Sequence, residues 1–302
     1  MDAPTAAPLT HVLDARPPAT DTLRGWWDAT ARIRSTWPLT IDRALIGGAH
    51  ADRLGFAFAG GYAAALHALV PGLDGIAALC ATEEGGNHPS QIKTQLEKSG
   101  LGYTLTGTKK WATVASEASS LLVVASIGES DGKNRLRVVR VPAMAKGVTI
   151  RASAAPFIPE IPHAEVELDH VLVTERDVLP GDGYDDYLKP FRTVEDLHVH
   201  AALVGYLVGV CRRRDWREPV ETLLALAVTT RALADAERAP ATHLALAGLI
   251  ELAARTAGEI ETRWAAAPDD EWTRWQRDRG LLKVAGSARR ARRERAWSMV
   301  AP

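Results

Sequence analysis

Two short stretches of the chain concentrate residues able to do chemistry. The first, Thr82-Glu83-Glu84-Gly85-Gly86-Asn87-His88-Pro89-Ser90, gathers carboxylates, hydroxyls and an imidazole around a Gly-Gly-Asn signal that reads, on its residues alone, as a surface turn. The second, Glu195-Asp196-Leu197-His198-Val199-His200, opens a long apolar-striped segment. Acidic residues there favour a helix N-terminus through its dipole. A partly desolvated carboxylate can also take a proton from carbon. His198 and His200 would leave a helix on different faces, so no metal site is expected from them. Taken singly, Thr82 and Thr113 read as strand threonines and Trp111 as a core tryptophan. The arginines between Ala288 and Trp297 have the charge to hold phosphates, but they read as the solvated face of a last helix, with Glu294 paired among them.

The elements that must position these groups follow from periodicity. With 302 residues, 46% hydrophobic and 24% charged, the chain is globular material sufficient for two or three packed units. Helical spacing runs from Asp21 to Pro38, then over Ile41–Leu54 and Gly55–Leu69, where Gly47, Gly48, Gly60 and Gly61 allow close helix crossing. Short alternating or apolar runs then predict strands: around Tyr103 and Leu105 up to a turn at Thr106-Gly107, at Trp111 and Thr113, and over Leu121–Ala125, Leu136–Val141, Val148–Ala152 and Ala164–Leu168. Pro156, Pro159 and Pro162 interrupt them as loops. Four helices follow, at Glu195–Cys211, Val220–Ala239, Thr242–Ala266 and Trp272–Trp297, whose lengths and short links imply an antiparallel four-helix bundle.

A formal net charge of −1 argues against nucleic acid or an anionic membrane as the general partner. Cys80 and Cys211 are too few for a disulfide framework and lack a metal-binding or redox spacing, which fits a reducing compartment. The first residues carry Asp2 and no basic segment before an apolar run, so a poorly ordered lead-in is expected rather than a signal peptide. No segment reads as long enough to cross a bilayer, the most apolar being Leu54–Val70 with His67 inside it. A cytoplasmic protein is the expectation.

Several motifs fall in register with one family. Thr82-Glu83-Glu84-Gly85-Gly86-Asn87, Ile92-Lys93-Thr94, Tyr103-Thr104-Leu105-Thr106-Gly107-Thr108-Lys109 and Trp111-Ala112-Thr113-Val114 resemble the T-E-P loop, x-K-T strand, Y-x-L-N-G-x-K hairpin and W-I-T-N segment of the acyl-CoA dehydrogenases. The resemblance implies an α+β fold with N-terminal helices (1–74), a central β-domain of barrel or sandwich type (75–183) and a C-terminal antiparallel four-helix bundle (184–302). It also implies FAD, with Thr82 and Thr113 bonding near the reactive edge of the flavin ring and Trp111 beside it. The loop after Thr82 departs from the family's G-S-D, so Gly86, Asn87, His88 and Ser90 stand as its substitutes near the cofactor. R-x-x-F-G and Q-x-x-G-G segments, which grip the adenine end in the family, have no good counterparts. Arg212-Arg213-Arg214 lies roughly where the first belongs, and weak flavin binding is expected.

For the base, the resemblance offers the position used by the isovaleryl and long-chain branches. An E-x-L run with a Gly ten residues after the Glu matches Glu195-Asp196-Leu197 and Gly205. The implied reaction is α,β-dehydrogenation of an acyl-CoA or other acyl thioester, with electrons passing to an electron-transferring flavoprotein. A homo-oligomer, or pairing with a related subunit, is implied because family flavin sites straddle subunits. The alternative is a non-catalytic or cofactor-poor subunit that completes the site of a full-length relative.

Overall fold

Short runs of apolar side chains, buried on one or both faces, build the middle of the chain into a seven-stranded sheet: β1 (Ala77–Cys80), β2 (Gln95–Ser99), β3 (Gly102–Thr113), β4 (Ser120–Ser130), β5 (Lys133–Pro142), β6 (Val148–Ser153) and β7 (His163–Val173). The order is β1-β4-β2-β3-β7-β6, with β5 also paired to β4. Strand β4 is flanked on both sides. Leu121, Leu122, Val123, Val124 and Ala125 are all fully buried, as a continuous apolar run in a two-sided core strand should be. The computed structural model describes residues 6–153 and 157–300, so the loop expected at Pro156 lies outside the described residues.

Two expectations about the sheet are corrected. No turn occurs at Thr106-Gly107: β3 runs through it, and the hairpin closes at Gly100-Leu101, where Ser99 pairs with Gly102. Gly107 instead pairs with Leu168 at φ +156°, next to a register shift whose extra residue lies on β7. A Cβ on it would stand 2.5 Å from Thr94 Oγ1 and 2.7 Å from Thr94 Cα, so this position requires glycine. Ile92-Lys93-Thr94 are not strand residues either, because the Lys93 and Thr94 amides bond a side chain and β2 begins only at Gln95.

The helices are α1 (Ala6–Asp14), α2 (Leu23–Ala29), α3 (Ala31–Thr36), α4 (Thr40–Ala49), α5 (Leu54–Leu69), α6 (Lys189–Arg213), α7 (Arg217–Asp235), α8 (Pro240–Ala265), α9 (Asp270–Asp278) and α10 (Gly286–Ser298). The chain divides into two compact units, one formed by Met1–Ala65 with Val194–Pro302 and the other by Leu66–Thr193. The first unit thus joins the N-terminal helices to the C-terminal ones. Glycines make that join possible. A Cβ on Gly48 would lie 1.9 Å from Ala202 O, one on Gly205 1.9 Å from Leu45 O, and one on Gly61 2.8 Å from His198 O. Trp26 stacks on Phe56 and donates to His50 O at 3.1 Å, while Tyr206, Trp275 and Trp264 stack in sequence farther along.

Three further expectations change in this unit. The lead-in is ordered from Ala6 onward as α1, held by buried Val12, whereas residues 1–5 lie outside the described residues. The single helix expected over Trp272–Trp297 is broken into α9, a 3-10 turn at Arg279–Lys283, and α10. Gly280 and Gly286 at these joints have the low helix propensity that permits the break. A helical stretch, Gly183–Arg213, does have the length and apolarity to cross a membrane, but 89% of its apolar window is buried in the protein, the surroundings of a core helix. It opens with a π-helical turn at Gly183–Leu188, capped by Asp182, whose side chain accepts from the Tyr184 and Asp185 amides.

Candidate active site

Three of the residues that carried the resemblance, Lys93, Thr94 and Lys109, converge on one buried carboxylate. Glu83 Oε1 accepts from Lys109 Nζ at 2.6 Å, Thr94 Oγ1 at 2.8 Å and Thr94 N at 3.1 Å, and Oε2 accepts from Lys93 N at 2.8 Å. Lys109 is 0% exposed. Burial pushes the Glu83 carboxyl up, but the Lys109 ammonium and the two amides outweigh it and hold the group below the usual carboxylate range. Gly107 is bare so that Thr94 can close on this cluster. The sequence reading took Glu83 for part of an acidic loop and missed its role as the anchor of Thr82.

Thr82, half buried, accepts at its carbonyl from Lys110 N at 2.8 Å, which sets the Thr82 loop against the stretch that carries Trp111 and Thr113. Trp111 is not a core residue. It is 62% exposed at φ +56°, and Val114, three residues on, sits at φ +57°. Bulky residues rarely adopt this left-handed backbone, which costs of order 1–3 kcal/mol each. Thr113 is half buried and pairs across β7 with His163, whose ring desolvation holds below the ordinary imidazole range against a bond to Ile161 O.

The loop that follows Thr82 is a tight turn. Glu83 and Gly86 exchange backbone hydrogen bonds at 3.0 and 2.9 Å, with Gly86 at φ +109°. His88 and Ser90 bond each other, Nδ1 to Oγ at 2.8 Å, and His88 caps the short 3-10 turn Pro89–Gln91. Asn134 Nδ2 pins this turn through Pro89 O at 3.0 Å and Ile92 O at 2.9 Å. Asn87 is exposed. Thr82, Gly86, Asn87, His88, Ser90, Trp111 and Thr113 therefore all lie in the sheet unit, the last two on one strand end. An open cleft elsewhere in that unit, with Gln95, Lys98, Tyr103, Arg137, Glu175 and Gly181 in its wall, contains none of them.

Glu195 lies on α6 in the helical unit. It is half buried and makes no hydrogen bond or ion pair among the described residues. Burial, with Asp196 adding and Arg289 opposing, pushes its carboxyl up to about 7. Asp196 is differently placed, accepting from Arg289 Nε at 2.8 Å and Arg292 Nη2 at 2.6 Å. These two arginines correct the reading of the C-terminal run as a wholly solvated face. His198 bonds Val194 O at 2.7 Å and Thr40 Oγ1 at 2.9 Å, while His200 bonds Asp196 O at 2.6 Å, so the two rings have separate partners. Arg213 and Arg214 bind Glu271, Arg214 also binds Asp269, and Arg212 donates to Leu13 O at 3.3 Å. Arg213 and Arg214 are thus ion-paired within the helical unit, whereas Arg212 is exposed.

Residues 78–171 match the family model of the acyl-CoA dehydrogenase middle domain. No curated protein sequence matches the chain. Among solved structures, the chain is similar to butyryl-CoA dehydrogenase from Megasphaera elsdenii, with 14% identity, a TM-score of 0.72 and coverage of 98% of this chain and 100% of the other. It is similar to the prolyl acyl carrier protein oxidase AnaB, at 16% identity and a TM-score of 0.70 over 98% and 99% of the two chains. A glutaryl-CoA dehydrogenase from Mycobacterium smegmatis in complex with FADH2 shares 16% identity and a TM-score of 0.65 over 100% and 96%. Residues 78–171 thus correspond to an acyl-CoA dehydrogenase middle domain, and the chain has an acyl-CoA dehydrogenase-like fold.

Proposed function

We infer that the protein is a flavin-dependent oxidoreductase that dehydrogenates the Cα–Cβ bond of an acyl thioester, with Glu195 as the base. The observation that carries this reading is the unpartnered, half-buried Glu195 carboxyl, pushed up to about 7. A carboxylate with that value is a stronger proton acceptor than an exposed one and still ionises near neutral pH. Its proton partner is the substrate Cα–H, whose acidity the thioester raises. The relatives named above are a CoA dehydrogenase, a second one holding FADH2, and an acyl carrier protein oxidase, which is the chemistry proposed for this chain.

The residues present fit the ring end of FAD. A large aromatic face at Trp111 is held out of the core by strained backbone, beside Thr113 and the anchored Thr82. Observed strain of this kind is a motive for a functional reading. When bound, FAD supplies the acceptor for the hydride that leaves Cβ. The adenine end has less provision, because Arg213 and Arg214 are paired with carboxylates and only Arg212 of this run is exposed. Weak FAD binding follows. That same observation favours the second reading, a cofactor-poor subunit that pairs with a full-length relative.

Titrating the purified protein with FAD, followed by calorimetry and by the visible flavin spectrum, separates the two readings. Saturable binding with a perturbed spectrum that is lost in Trp111→Ala supports the enzyme. No binding supports the subunit. Electron transfer to a partner flavoprotein and self-association belong to the first reading.

A further inference from the structure

Asp196 follows Glu195 on α6, so the two side chains leave the helix about 100° apart. Asp196 is buried, its side chain 7% exposed, and it is gripped by Arg289 and Arg292, which stand one turn apart on α10. Arg289 also donates to Leu282 O at 3.0 Å, tying the grip to the 3-10 turn that precedes α10. We propose that the clasp of Asp196 with Arg289 and Arg292 is the positioning device of Glu195. It fixes the rotation of α6 that leaves Glu195 without a partner, and it sets the net charge beside that carboxyl. Its bearing on catalysis rests on the reading of Glu195 as the base.

Desolvation pushes His198 and His200 down to about 4, so these two rings are uncharged at neutral pH, and it also lowers His243 of α8. Asp42 of α4 is bound by Arg231 of α7. After burial itself, the charges that act on the Glu195 carboxyl are Asp196, which raises its pKa, and Arg289, which lowers it. The two sides of the clasp should therefore act in opposite directions. Removing the charge of Arg289 or Arg292 leaves Asp196 less compensated and moves the Glu195 titration up. Removing the charge of Asp196 leaves two guanidiniums and moves it down. A purely structural clasp has no reason to give opposite signs.

The test uses Arg289→Gln, Arg292→Gln, Asp196→Asn and, as control, Arg290→Gln, which removes the same charge from an exposed position with no ion pair among the described residues. For each, urea denaturation across pH is compared with the same variant carrying Glu195→Gln. The difference reports the titration of Glu195 and needs neither flavin nor substrate. We expect midpoints raised by about half a unit to one unit in the first two variants, lowered in Asp196→Asn and unmoved in Arg290→Gln. Arg289→Lys, which keeps the charge, should leave the midpoint at the parent value and separates charge from packing. If Asp196→Asn does not fold, the arginine variants against Arg290→Gln decide alone. Midpoints that all move one way, or that do not move, overturn the clasp. In parallel, the pH dependence of substrate-driven flavin bleaching is recorded for the same variants. Stability midpoints that shift while bleaching ignores them uphold the clasp and remove Glu195 as the base.

Discussion

Glu83 leaves water with an ammonium, a hydroxyl and two amides to receive it, and Glu195 leaves water with no hydrogen-bond partner. That difference predicts opposite behaviour. Lys109→Met would strand the Glu83 carboxylate in the core, and breaking such a pair costs about 3–5 kcal/mol. Urea denaturation at neutral pH should show it, and a loss below about 1 kcal/mol would contradict the structure. At Glu195 the folded-state pKa lies above the unfolded one, so the folded protein keeps a proton that the unfolded chain releases. Stability then falls as pH rises from about 4.5 to about 7 and levels off above. Glu195→Gln removes that loss. It should gain on the parent by up to roughly 3 kcal/mol between those limits, and a pH-independent difference would refute the raised pKa. The sequence made Glu195 visible through its spacing to Gly205. It concealed the Glu83 and Lys109 pair, because the partners are 26 residues apart and each looks like loop or surface polarity by itself.

Helix crossings explain why that spacing exists. Gly205 marks the point where α6 meets the Leu45 carbonyl of α4, two helical turns and more beyond Glu195. Gly205→Ala forces a Cβ to 1.9 Å from that oxygen and should destabilise by at least about 1–3 kcal/mol. Gly258→Ala on α8 is the counterpart, with nothing within 4 Å of the new atom, and should stabilise by about 1 kcal/mol. Denaturation midpoints moving in these two directions check the packing, whereas equal shifts would count against it. Helix and strand identities were largely legible from periodicity, and the Gly-assisted crossings were too. The break between α9 and α10 was not, because Leu281, Leu282, Lys283 and Val284 continue a helical mix of apolar and charged residues across it. Nor was the inward turn of Arg289 and Arg292, since Asp196 lies 93 and 96 residues away. The turn expected at Gly107 failed for a related reason. Glycine signals a tight approach as readily as a turn, and here the approaching group is Thr94.

At the level of the whole molecule, the helical unit presents apolar side chains to solvent at Val228 of α7 and Leu252 of α8, 42% and 46% exposed. The proposed function expects self-association, and sedimentation at micromolar concentration should show a species larger than the monomer; a stable monomer would weaken the flavin reading. The central claim is tested most directly by mixing FAD-loaded protein anaerobically with a series of acyl thioesters while following the flavin absorbance. At least one thioester should bleach the parent's flavin, and Glu195→Gln with the same flavin content should do so on the order of 10²–10⁴-fold more slowly. Bleaching at the parent rate in Glu195→Gln, or an oxidised flavin that no thioester reduces, would contradict the account.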